Sequence, residues 1–191
     1  PTFQPITGTY GMLTWPLSLR STIGAEYTIL AESCTEVASL SANDGWGKAR
    51  YTDRQNFGIV AGQVTNLMLN CRMANTQISI GYDATFTEAF SDYTVKATDG
   101  TRELTFDAGA TTEAPIAFFS IPDNGKITLN ITATYDGTPR IFSQTISVTA
   151  ATWHKLTLQA SRDKGKLGIT ITTDETVTEK PEEVIVYPDD I

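Results

Sequence analysis

Lys126–Tyr135 (KITLNITATY) alternates without a break, with Ile127, Leu129 and Ile131 on one face and Thr128, Asn130 and Thr132 on the other. A period of two belongs to a strand with one face in a core and the other in water; a helix cannot use it. Similar alternation recurs in Glu26–Ser33, Val64–Met73, Thr76–Tyr82, Tyr93–Thr98, Ile141–Val148, Thr152–Ala160, Lys166–Thr173 and Glu183–Tyr187. Turn residues punctuate these runs at Asp99-Gly100, Asp123-Asn124-Gly125, Asp136-Gly137 and Asp163-Lys-Gly165. Strands of this length and spacing predict an all-β chain built from antiparallel sandwiches rather than a parallel sheet. The 31 Thr among 191 residues follow from the same geometry, because a β-branched hydroxyl residue suits the wet face of a pleated sheet. One run breaks the period. Ala84–Ser91 (ATFTEAFS) sets Phe86 and Phe90 four apart, the spacing of one helical face, and predicts a short helix plugging one end of a sandwich.

The length suits two small domains, and we place the boundary near residues 72–76: an N-terminal sandwich over 1–73 and a C-terminal one over 74–191. Gly62–Cys71 and Ala151–Ala160 look alike, each a Leu-x-Leu run followed shortly by Ile-x-Ile, as expected if each helps close its own sandwich. The net charge of −8 is unevenly spread. Asp174–Ile191 holds seven acids and one Lys, a net of −6, while the other 173 residues hold 15 acids and 13 bases. This balance excludes nucleic-acid binding, which needs clustered Lys and Arg. The acidic end reads as a solvated strand edge and tail, with cation or partner docking as the alternative. No apolar run reaches the roughly 18 residues of a membrane-spanning helix, and no signal-peptide pattern opens the sequence.

Catalytic chemistry has few places to reside. The only histidine, His154, shares strand parity with Leu156 and Leu158, so it is expected to face inward near a strand end as a structural residue. Ser/His/Asp or Cys/His catalysis would have to pass through this one ring. No Gly-x-Ser-x-Gly, HExxH, Cys-x-x-Cys or phosphate-cradling loop is present. Asp99, Asp123, Asp136 and Asp163 sit at turns, their ordinary place, and nothing in the linear sequence pairs two carboxylates as a glycosidase requires. No Asp-rich calcium loop occurs either. We therefore expect no enzyme, cofactor or metal. Cys71 shares parity with Leu67 and Leu69; it and Cys34 are expected as free, buried thiols, with a disulfide as the alternative in an exported protein.

The aromatic residues leave one binding site open. Ser41–Tyr51 (SANDGWGKARY) is polar and Gly-rich, and holds Trp46 and Tyr51 beside Asp44 and Arg50. Exposed rings flanked by polar groups can stack on a pyranose and bond its hydroxyls. The competing reading is that Trp46 tucks back and anchors its loop. Trp15 and Trp153 are expected within strands, as core or sheet-surface packing.

Gly62–Asn75 (GQVTNLMLNCRMAN), with its Cys-Arg-Met-Ala-Asn end, is followed by Ile78–Tyr93 (ISIGYDATFTEAFSDY). The pair resembles the central signature of a large group of surface lipoproteins from Bacteroides-like gut bacteria, relatives of the fimbrillins. Leu104-Thr-Phe106, Phe118-Phe119, Ile127-Thr-Leu129 and Gly165–Ile171 also match in order, so the resemblance covers roughly residues 24–187. It implies two tandem transthyretin-like β-sandwiches, exported to the cell surface and tethered to the outer membrane by a lipid on an N-terminal Cys. That Cys is absent here, which reads as a mature or trimmed chain. Relatives carry more residues between the strands at Gly11-Met-Leu13 and Gly24-Ala-Glu-Tyr27, so a segment near Arg20 is expected to be missing, natural shortening being the alternative. The resemblance implies a non-catalytic structural or adhesive subunit whose partners are other fimbrial or surface subunits, joined by strand addition. Glu183–Tyr187, bounded by Pro181 and Pro188, has a donor strand's alternation; the competing reading is an ordinary last strand. A glycan-binding module using Trp46, Tyr51, Arg50 and Asp44 is the alternative function.

Overall fold

The alternating runs fold into three sheets in the computed structural model, which describes residues 5–19, 25–107, 115–163 and 166–177. Strands β1 (Tyr27–Glu32), β2 (Tyr51–Phe57) and β3 (Arg72–Met73) form a three-stranded sheet in that order. Between β1 and β2 stands helix α1 (Glu36–Leu40). The remaining strands are β4 (Asn75–Tyr82), β5 (Ser91–Thr98), β6 (Glu103–Asp107), β7 (Ala117–Ser120), β8 (Lys126–Tyr135), β9 (Thr138–Ser147), β10 (Thr152–Asp163) and β11 (Lys166–Val177). They form two four-stranded sheets, ordered β11-β10-β4-β7 and β6-β5-β8-β9.

These two sheets share one core. Ile78 and Ile80 of β4, Phe119 of β7, and Leu156 and Leu158 of β10 form a single cluster with Val95, Phe106, Ile127, Leu129, Ile131 and Ile146 from the other sheet. Each fully buried Ile, Leu or Phe contributes roughly 1.5–3 kcal/mol relative to leaving it in water. Helix α2 (Ala84–Ala89) begins at Asp83, whose carboxylate accepts from the Thr85 N–H. Phe86 on the helix and Phe90 at its C-cap are buried in the core, their ring centroids 4.9 Å apart. The helical spacing read from the sequence therefore marks a short helix, shorter than the expected Ala84–Ser91.

By packing, the chain divides into two units: Pro1–Ile29 with Gln55–Leu67, and Leu30–Arg54 with Met68–Ile191. In the first, Thr28 Oγ1 donates to Asn56 Oδ1 at 2.8 Å and the Tyr27 and Phe57 rings meet at 5.8 Å. The core just described belongs to the second.

Several expectations are corrected. The sheets are not antiparallel throughout, because β4 and β10 pair in parallel, from Gln77 opposite Trp153 to Tyr82 opposite Leu158. Alternation specifies which face is buried but is blind to strand direction, and no tight hairpin links this pair to force the antiparallel arrangement. Of Val64–Met73 only Arg72–Met73 is strand, and Val64 is 76% exposed; an alternating run without a neighbouring strand has nothing to satisfy its backbone groups. β2, β6, β7 and α1 were not marked by periodicity. Trp15 lies in a bend rather than a strand, half-exposed, with Nε1 donating to the Tyr10 carbonyl. Trp153 is on β10 as expected; its Nε1 donates to Ser79 Oγ at 2.9 Å and Lys155 Nζ lies 4.3 Å from its ring centroid. Cys34 and Cys71 are free but only partly buried. Glu183–Tyr187 and the segment around Arg20 lie outside the described residues.

Candidate functional site

The predicted binding loop starts from α1. Thr35 Oγ1 accepts the Ala38 N–H at 3.2 Å, and Glu36 in the first turn suits the positive end of the helix. Glu36 also accepts a hydrogen bond from Ser120 Oγ, tying α1 to β7. After α1 the chain reverses through Asn43, Asp44 and Gly45, all at positive φ, and Asn43 Nδ2 closes the turn on the Gly47 carbonyl at 2.8 Å. Asn, Asp and Gly are the residues that tolerate this backbone region. Gly47, at φ +86, leaves no room for a side chain: a Cβ there would stand 2.9 Å from Phe118 Cβ.

The four predicted binding residues make different contacts. Trp46 packs partly buried against the core, its ring edge-on to Phe106 at 5.0 Å and 83°, while its carbonyl accepts the Phe118 N–H at 2.8 Å. These contacts hold the Trp46 backbone and ring against the core. Arg50 points its guanidinium to the Glu32 carboxylate (3.1 Å) and the Cys34 carbonyl (3.2 Å). The Tyr51 N–H donates to Ser33 Oγ at 3.0 Å, its carbonyl accepts the Ser33 N–H at 2.9 Å, and the residue is 41% exposed. Asp44 is exposed at the turn.

The residue that organises the loop is one that sequence reasoning left unassigned. Asn75, buried, donates Nδ2 to the Lys48 carbonyl (2.8 Å) and to Ser39 Oγ (3.2 Å), while its Oδ1 accepts the Arg50 N–H (3.2 Å). Ser39 Oγ in turn donates to the Lys48 carbonyl at 2.6 Å. One side-chain amide thus ties α1 to the Lys48–Arg50 segment, a buried network with every Asn75 group used.

Two titratable groups stand apart. Burial raises the Cys71 thiol above its usual range, with Asp53 adding to the effect. His154 is 1% exposed and faces the core, as its parity predicts. Burial pushes its imidazole below the usual histidine range, and Glu175 offsets part of this. Its Nδ1 lies 3.3 Å from Glu175 Oε1, an ion-pair distance outside hydrogen-bond geometry, so neither ring nitrogen has a hydrogen-bond partner among the described residues. No group of three or more His, Cys, Asp and Glu placed to hold a metal occurs among the described residues.

Comparison with known proteins adds a family. The model for the domain of unknown function DUF4493 matches residues 7–188. No curated protein matches the chain. Among solved structures, it is similar to the tip fimbrial protein Mfa3 of Porphyromonas gingivalis at 7% identity, over 76% of this chain and 69% of that one, with a TM-score of 0.40. A candidate cell adhesion protein of Bacteroides eggerthii matches at 7% identity over 76% and 68%, with a TM-score of 0.39. Another, from Bacteroides fragilis, matches at 9% identity and a TM-score of 0.35. That match covers 73% of this chain, which spans 59% of the length of its counterpart.

Proposed function

We propose, for a chain that belongs to the DUF4493 family, a non-catalytic role as a fimbrillin-like structural or adhesive subunit, exported and lipid-anchored at the cell surface. The observation that carries this reading is where the signature residues from Met73 onward go, the earlier Val64 and Met68 being exposed. Met73, Asn75, Ile78, Ile80, Phe86 and Phe90 are all buried; Asn75 clasps the loop, and the last four belong to the core. What this chain has in common with the surface lipoproteins it resembles is thus a scaffold, and a scaffold is what a structural subunit needs. The finer parts of the reading go with it: tandem transthyretin-like sandwiches over 1–73 and 74–191, and association with other surface subunits by strand addition. The long edge strand β9, with Ile141 79% exposed and no partner on its outer side among the described residues, supports such association.

Sedimentation and electron microscopy of the full chain with its native termini, across a concentration series, test this. Concentration-dependent polymers or strand-exchanged oligomers are expected; a monomer at every concentration, alone and with neighbouring surface proteins, overturns it. Tyr51 favours a second reading, a glycan-binding surface, because its ring is available to a sugar face. A glycan array on the intact protein tests it. The expected result is saturable binding lost in Tyr51→Ala; a clean negative removes it. Trp46→Ala is the poorer probe, since that ring also holds the loop.

A further inference from the structure

Among the described residues, His154 is the one ionisable side chain in the buried set, which otherwise contains only hydrophobic, hydroxyl and amide groups. It lies two positions into β10, between Ile78 of β4 on one side and Glu175 of β11 on the other. β11 is an outermost strand, paired with β10 alone among the described residues. The Glu175 side chain is 58% exposed, so the carboxylate beside the ring reaches water although the ring does not.

The charged surroundings are sparse. On β11, Asp174 precedes Glu175 and stands opposite Lys155, the neighbour of His154 on β10 and so on the other face of the strand. β4 carries no charged residue; Gln77 and Ser79 flank Ile78. The facing sheet sends only uncharged side chains into the core, Val95, Ala97, Phe106, Ile127, Leu129, Ile131, Ala133 and Ile146. Helix α2 brings Asp83 and Glu88, but it meets β10 at the other end, where Ala160 N–H donates to Thr85 Oγ1. Among the described residues, Glu175 is therefore the one close counter-charge.

We propose that His154 is a proton-operated latch: its neutral ring lets the end of β11, Thr173–Val177, pack against β10, and its protonation drives that end open. A cationic ring in this position must either lean on one half-solvated carboxylate or gain water, and among the described strands flanking it the one that can lift away without breaking the sheet's interior is the edge strand β11. The direction agrees with the balance of forces on the ring, burial outweighing Glu175. With the folded pKa below that of a free histidine, the packed end is fully stable above about pH 6.5 and loses stability as pH falls through the folded value.

The single histidine makes the test clean. NMR titration of its ring in the full chain is compared with amide exchange along β10 and β11, corrected for intrinsic rates, from about pH 7.5 to about pH 5. Opening of Thr173–Val177 is expected to rise with acid, by at most about tenfold per pH unit for one proton, with a midpoint tracking the ring titration and with β8 unchanged. Glu175→Gln should move both midpoints to lower pH together, and His154→Gln should flatten the response. A ring that titrates at or above the free-histidine value, or β11 exchange that stays flat or merely follows β8 while the ring titrates, overturns the proposal. If His154→Gln fails to fold, the coincidence of the two midpoints in the unaltered chain and in Glu175→Gln decides.

Discussion

In the second unit Ile127, Leu129 and Ile131 vanish into a core closed by two sheets; in the first, Ile6, Met12, Val60 and Val64 stand in water, Met12 at 85% exposure. The apolar residues are similar in kind. What differs is the partner: an alternating run becomes a core strand only where a second sheet exists to receive its face. Composition counts apolar residues, and topology decides which of them are useful.

Substitutions at both ends of this contrast should separate in size. Phe119→Ala removes a fully buried ring and should cost about 3–5 kcal/mol in urea unfolding. Asn75→Ala breaks the clasp and strands the Arg50 N–H, leaving the Lys48 carbonyl to Ser39 Oγ alone, for roughly 1–3 kcal/mol. Gly47→Ala meets both a left-handed backbone and the Phe118 side chain, and should cost on the order of 1–2 kcal/mol in thermal melts. Lys96→Ala loses an exposed pair with Glu103 (2.8 Å) and should cost under about 1 kcal/mol, less in high salt. Val64→Ser should fall within about 0.5 kcal/mol of the parent. A loss there as large as that of Asn75→Ala would mean that the first unit buries this residue in solution, and the contrast would fail.

Much of the second unit was legible because local and global demands agree there. β8 runs from Lys126 to Tyr135, the bounds its alternation predicts, and the inward parity of His154 holds because its strand continues straight into Leu156 and Leu158. The loop was legible only in its turn residues. Asn43, Asp44, Gly45 and Gly47 announce a reversal, but the partners of Trp46 and Asn75, namely Phe106, Ser39 and Lys48, come from distant stretches of chain. A polar, Gly-rich loop looks the same on paper whether its ring faces water or a phenylalanine. Strand direction was illegible for a related reason, since a period of two reads identically forwards and backwards.

That parallel pair has a consequence for time rather than for stability. Thr76 Oγ1 donates to the Thr152 carbonyl across a gap of 76 residues, and the whole β4–β10 register spans similar separations. β4, with Ile78 and Ile80, therefore waits without its central neighbour until most of the chain exists. Closing so long a loop places folding among the slow, non-local β topologies, in roughly the millisecond-to-second range. Until β10 arrives, the backbone edge of β4 is open to whatever helper protein or wrong strand reaches it first.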